Sequence, residues 1–151
     1  MPTFLGDYVC KLDPKGRVLL PSAFKRQMPA SADSTFVVKK DIYEKCLVVY
    51  TMDEWQRQND IITASLNPYN KEHNLFLRNF FKGTAEVELD ASNRLLIPRR
   101  LLDEAGIDKE VVMAGQGSKI EIWSKDQYDK IGAEEDFAAL AEKVMGKPEK
   151  L

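Results

Sequence analysis

Leu12-Asp-Pro-Lys-Gly-Arg-Val-Leu-Leu-Pro21 and Leu89-Asp-Ala-Ser-Asn-Arg-Leu-Leu-Ile-Pro98 are two versions of one pattern: an apolar residue, an aspartate, three turn positions, an arginine, a short apolar run and a proline. Leu12, Asp13, Arg17, Leu19 and Pro21 fall on Leu89, Asp90, Arg94, Leu96 and Pro98 at a constant offset of 77 residues. Self-similarity of this kind marks a tandem of structural units. Further on the offset drops to 73, with Cys46 to Tyr50 falling on Lys119 to Trp123, because the first unit carries the longer loop.

Working outward, the residues before each aspartate alternate. Tyr8, Cys10 and Leu12 face one way and Val9 and Lys11 the other; Ala85, Val87 and Leu89 stand in the same way against Glu86 and Glu88. That is the period of a half-buried strand, and it makes Cys10, in the slot of Val87, a small core residue. In the turns, Pro14 presets φ, while Gly16 and Asn93 are residue types that accept a left-handed backbone, as in a three-residue hairpin loop closed by a bulge. The return strands, Val18 to Leu20 and Leu95 to Ile97, run into Pro21 and Pro98, which suit the start of short helices. These helices should turn Ala23 and Phe24 inward with Lys25 and Arg26 outward, and Leu101, Leu102 and Ala105 inward with Gly106 as the stop.

Each unit then holds a strand pair, Phe36 to Val38 with Cys46 to Tyr50, and Val111 to Met113 with Ile120 to Trp123. Thr51 with Glu54, and Ser124 with Gln127, are spaced as capping boxes that start helices. Between the units, Leu75, Phe76, Leu77, Phe80 and Phe81 follow a helical stripe, which predicts a buried helix face rather than a stacking platform for bases. After Gly132 a helix with Phe137, Leu140, Ala141 and Val144 leads to a frayed end beyond Gly146. The units are placed at residues 7–54 and 83–126, with a helix-bearing linker at 55–82 and a C-terminal helix and tail at 127–151.

The chain has 151 residues with 22 Lys+Arg and 24 Asp+Glu, a formal charge of -2, so any affinity for a polyanion must come from local clustering. No apolar run is long enough to span a membrane, and the first residues lack a signal-peptide pattern, so a cytoplasmic location and no membrane partner are expected. Cys10 and Cys46 are far apart and read as free thiols, and His73 is the only histidine, so no metal site is expected. Gly115-Gln-Gly117 lacks the third glycine and following helix of a dinucleotide fingerprint and reads as a turn. Asp13 and Asp90 each have an arginine four residues on, which favours ionised, turn-closing carboxylates over a catalytic pair. No catalytic residue, cofactor or enzymatic activity is expected.

A strand, turn and strand cannot bury both faces alone. The expected fold is mainly β with short helices, an α+β class in which the two hairpins interleave into one pseudo-twofold, double-split β-barrel with both Asp-x-x-x-Arg turns on one side. Two cationic loops so related would match the approximate symmetry of a DNA duplex. The two turn segments, together with Phe4-Leu-Gly-Asp-Tyr8, Phe80-Phe-Lys-Gly-Thr-Ala85 and Glu121-Ile-Trp123, resemble the bacterial MraZ family. That resemblance implies a fused pair of SpoVT-AbrB-like swapped-hairpin units. It also implies a sequence-specific regulator of transcription of the cell-division and cell-wall gene cluster, associated with the nucleoid and assembled into homo-oligomeric rings on short direct repeats of double-stranded DNA.

Carried over residue by residue, the motif points to Lys15, Gly16, Arg17, Asn93 and Arg94 as DNA-binding residues and to Asp13 and Asp90 as turn-closing ones. Asn93 departs from the family's usual glycine. Tyr8 to Arg26 holds five basic residues and one acidic one, whereas Ala85 to Arg100 holds three of each, so the first repeat is the stronger DNA-binding half. Lys25, Arg26, Arg99 and Arg100 read as solvated helix faces. The rival reading is an antitoxin-like interaction protein whose C-terminal helix, from Ala133 to Met145, grips a protein partner.

Overall fold

The computed structural model describes residues 2–133 and 136–146; the tail expected beyond Gly146 lies outside the described residues. In chain order the elements are β1 (Asp7–Lys11), β2 (Arg17–Leu19), α1 (Ser22–Arg26), β3 (Thr35–Lys40), β4 (Leu47–Thr51), α2 (Met52–Ser65), α3 (Lys71–Phe81), β5 (Ala85–Glu88), β6 (Arg94–Leu96), α4 (Arg99–Glu104), β7 (Glu110–Gln116), β8 (Lys119–Ser124), α5 (Lys125–Asp129) and α6 (Phe137–Met145). The fold is mixed α+β with antiparallel sheets. One sheet has six strands in the order β1-β7-β8-β4-β3-β5, and β2 and β6 form a separate two-stranded ribbon.

Neither opening strand extends a ladder with its own return strand. β1 pairs with β7 of the other unit, with Tyr8 opposite Met113, and β5 pairs with β3, with Ala85 opposite Val38. The return strands meet each other, with Val18 opposite Leu95 at the centre. Exchanging the two units turns the six-strand order into its own reverse and maps the ribbon onto itself, which is the signature of pseudo-twofold symmetry. Backbone bonds obey it too: Leu20 N–H donates to Asn93 O at 2.9 Å and Ile97 N–H to Gly16 O at 3.0 Å.

Burial drives this exchange. Val18, Leu95, Phe24 and Leu102 are fully buried, and Leu20, Ile97 and Leu101 nearly so, against the sheet face that carries Phe36, Val38, Val49, Met113 and Ile122. Phe24 also receives the edges of Phe4 and Tyr8, at centroid distances of 5.7 and 5.1 Å, which docks the N-terminal segment. Cys10 packs half-buried against this core, and Cys46 is fully buried. A smaller cluster of Val37, Val48 and Tyr50 lies on the opposite face of the sheet with Met52 and Trp55.

Three expectations need correction. The capping boxes form only by halves: Thr51 and Ser124 hydroxyls accept from the Glu54 and Gln127 amides, both at 3.2 Å. The Glu54 carboxylate turns instead to Arg57 Nη2 at 2.8 Å and Gln58 Nε2 at 2.7 Å, forming a charge-assisted pair on its own helix. In α3 only Phe80 is buried, between Trp55, stacked on it at 5.6 Å, and Lys39; Leu75, Phe76 and Phe81 remain substantially exposed. Gly115 and Gln116 belong to β7, and the turn is Gly117-Ser118, between Gln116 and its partner Lys119.

The ribbon core ties the repeats into one unit. Leu95→Ala, at a site with no exposure, should cost about 2–5 kcal/mol. Urea unfolding followed at Trp55 and at Trp123 in single-tryptophan variants should give coincident transitions in the parent and in the variant; separate transitions would show that the repeats unfold independently.

Candidate nucleic-acid interface

Each turn is built by its aspartate. Asp13 N–H donates to Arg17 O at 2.9 Å and Gly16 N–H to Asp13 O at 3.0 Å, which closes a three-residue loop with a bulge. The carboxylate adds a second set: Oδ1 accepts from the Lys15 and Arg17 amides at 2.9 and 2.8 Å, and Oδ2 accepts from Arg17 Nε at 2.6 Å. The second turn repeats this atom for atom. Asp90 Oδ1 accepts from the Ser92 and Arg94 amides at 2.8 and 2.9 Å, and Oδ2 from Arg94 Nε at 3.1 Å. The bulge positions are Gly16 at φ 88° and Asn93 at φ 62°. Asparagine is among the few side-chain-bearing residues that visit this region readily, so the backbone is the same in both turns.

These bonds set the charge state of the carboxylates. Both are held below the ordinary aspartate value, first by the backbone amides of Arg17 and Arg94 and then by the guanidinium groups themselves. They also aim the arginines. With Nε tied to its aspartate, the Arg17 guanidinium is fixed in plane while its two terminal nitrogens make no hydrogen bond among the described residues. That is the edge a bidentate acceptor needs.

The structure brings the two turns together. Arg94 Nη1 lies 3.8 Å from Asp13 Oδ2, and Lys25 Nζ, on α1 of the first unit, donates to Asn93 Oδ1 of the second turn. The Arg17 and Arg94 side chains keep 30% and 34% of their surface exposed. Lys15 is exposed, and only its backbone amide is used. Gly16 is buried, and its amide and carbonyl are both consumed by the turn and the ribbon, so its role is conformational and no donor is left for a ligand.

Lys25, expected on a solvated helix face, belongs instead to the charge cluster. A second feature was not singled out from sequence. Leu19 and Leu96 stand 56% and 53% exposed on the same side of the ribbon as Arg17 and Arg94, with Arg17 opposite Leu96 and Leu19 opposite Arg94. Strand alternation was the available signal: with Val18 and Leu95 buried, the residues on either side of them must face out.

A family model described as "MraZ protein, putative antitoxin-like" matches this chain twice, over residues 3–79 and 80–146. The chain belongs to the MraZ family. It is 41% identical over 152 residues to "Transcriptional regulator MraZ" of Christiangramia forsetii, with 97% of this chain and 95% of that one covered. It is also 41% identical to the protein of that name from Flavobacterium psychrophilum, covering 97% and 94%, and 36% identical to that from Bacteroides fragilis, covering 96% and 92%. One Asp-x-x-x-Arg turn thus falls near the start of each of the two matched stretches. Away from them, Asp41, Cys46 and Glu121 place one donor atom each within 4.8 Å of one another, and we assign no metal to this mixed set without a histidine. Among the described residues no helix is long and apolar enough to cross a membrane.

Because the native carboxyl groups of Asp13 and Asp90 are lowered, the unfolded chain binds more protons in acid. Their contribution to stability is therefore full above the unfolded range, about pH 4, and is lost as pH falls through the lowered native values. Asp13→Asn keeps the Oδ1 acceptor and removes the titration. A series of Tm values from pH 2 to 6 should show a shallower acid limb in this variant than in the parent; superimposable limbs would exclude such a role for Asp13.

Proposed function

We propose that this MraZ-family chain is a DNA-binding transcriptional regulator that reads short repeated promoter elements of the cell-division and cell-wall gene cluster as a ring oligomer at the nucleoid, in the cytoplasm. The observation that carries this reading is the approach of the two turns, with Arg94 Nη1 3.8 Å from Asp13 Oδ2. It presents Arg17 and Arg94 to a single groove. The names of the relatives support the same conclusion. In finer detail, we read the interleaved sheets as the swapped-hairpin barrel of the AbrB type, with repeats at 7–54 and 83–126, a helical linker at 55–82 and a C-terminal helix and tail at 127–151.

The chemistry follows from the ribbon. A two-stranded antiparallel ribbon fits the major groove of B-form DNA, where an arginine can pair bidentately with guanine for about 1–3 kcal/mol of discrimination. Arg17, with its terminal nitrogens unspent, is the leading reader and Arg94 its partner; Lys15, Lys25 and the Asn93 amide lie beside them. Leu19 and Leu96, between the arginines on the same face, suit the methyl groups of thymine. The net-acidic chain is compensated by multivalency, since several copies in a ring gain avidity of about 10²–10⁴ on suitably spaced repeats.

A second reading, an antitoxin-like grip on a protein partner, draws on α6. Phe137, Val144 and Met145 there are 77%, 67% and 80% exposed. A pull-down that recovers one stoichiometric protein and no DNA would favour it.

Arg17→Ala should abolish binding to a promoter fragment with repeated elements in a gel-shift titration while sedimentation shows the assembly unchanged, and parent binding should weaken steeply with added salt as counterions are displaced. Undiminished affinity in the variant, or a flat salt response, would overturn the DNA reading. Replacing thymine by deoxyuridine in the selected site removes only the methyl groups. It should weaken the parent several-fold and leave Leu19→Ala unaffected; equal losses in both proteins would remove Leu19 from base readout.

A further inference from the structure

β3 alternates between two faces of the six-stranded sheet. Phe36 and Val38 enter the main core, while Val37 and Lys39 face the side covered by α2 and α3. Lys39 is only 4% exposed. Its register partner is Val48, and the equivalent position of the second repeat is Ala114, opposite Glu121 as Lys39 is opposite Val48. The fold therefore does not require a lysine there.

The ammonium group is under-compensated. Lys39 Nζ sits 3.7 Å from the centre of the Phe80 ring and has neither a carboxylate within ion-pair distance nor a hydrogen-bond acceptor among the described residues. A cation–π contact offsets only part of what a buried charge loses in hydration. Consistent with this, burial pulls the Lys39 amine down to about 8, with Lys119 adding to the fall and Asp41 opposing it.

Lys39 forms the inner wall of a cleft of about 850 Å³, a size typical of small-molecule sites. Around the mouth stand Lys82 and Arg100, and Phe76 and Phe80 stack on one another along the side at 6.0 Å. Lys82 has no partner among the described residues, and Arg100 uses Nη1 on Gly83 O at 2.8 Å. Lys40, also at the cleft, is committed to the carbonyls of Asp41 and Glu44. The acidic residues at the wall are Asp41 and Glu104, and Asp41 is engaged by the Tyr43 and Glu44 amides. The lining thus carries four basic groups against two carboxylates, and neither carboxylate pairs with Lys39, Lys82 or Arg100 among the described residues.

We propose that this cleft binds a small molecule bearing a phosphate or carboxylate group, with the oxyanion on Lys39 Nζ, Lys82 and Arg100 at the mouth, and an apolar or aromatic body against the exposed Phe76. The site is separate from the paired turns, so it stands whether or not those turns bind DNA.

The test is calorimetric titration of the full chain with pyrophosphate, phenyl phosphate and benzoate, which separates phosphate from carboxylate and bare anion from anion with a ring. Saturable binding of at least one probe, weakened tenfold or more in Lys39→Met, is the expected result. No saturable binding of any probe, or unaltered binding in Lys39→Met, would overturn the proposal. Circular dichroism checks that Lys39→Met folds. If it does not, Lys82→Gln decides, with at least threefold weakening in support and parent-like binding against.

Discussion

The contact between Val18 and Leu95 at the centre of the ribbon is the constraint on which the rest of the molecule depends. Each belongs to a strand of three residues, too short to hold a sheet by backbone bonds alone, and each is fully buried. Since those two side chains must be covered together, each return strand leaves its own opening strand after the turn and pairs with its counterpart. The opening strands are then free to add to the far unit, β1 on β7 and β5 on β3. One hydrophobic pair thus commits the whole strand order and sets the two turns side by side.

Within that shared backbone the two halves have diverged on the surface. Lys11 of the first repeat corresponds to Glu88 of the second, Lys15 to Ser92, Lys25 to the buried Leu102 and Arg26 to Asp103. The turns are conformational equals, but the charge around them is one-sided. The pseudo-twofold axis relates Asp13 to Asp90 and Arg17 to Arg94 faithfully, because these residues form the turn itself, whereas the residues around them differ. Lys39 and Ala114 differ likewise in a buried place, Lys39 on the face of the sheet that α2 and α3 cover.

Local chemistry made much of this legible from residues alone. The offset of 77, the period-two alternation before each aspartate and the left-handed Gly16 and Asn93 each involve neighbours within a few residues, whose preferences do not depend on the remainder of the fold. The α3 stripe was misleading for the opposite reason. Periodicity shows which side chains share a helix face, but not how wide a partner surface that face will find, and here Phe80 alone is buried. Likewise the Glu54 side chain had two eligible partners, and only the packing of α2 selected Arg57 and Gln58 over the capping amide.

Read as residues alone, the chain discloses two repeats, where their turns lie, which residue types those turns require and which side chains are inward along each opening strand, since all of these follow from short-range sterics and hydrophobic spacing. The pairing of β2 with β6, the reach of Lys25 to Asn93 across the repeats, the use of the Gly16 amide within its own turn and the packing of Lys39 Nζ over Phe80 emerge in three dimensions alone. Save for the Gly16 bond, these are contacts between segments distant along the chain, selected by the burial of shared apolar surface, and no local preference encodes which distant partner provides it.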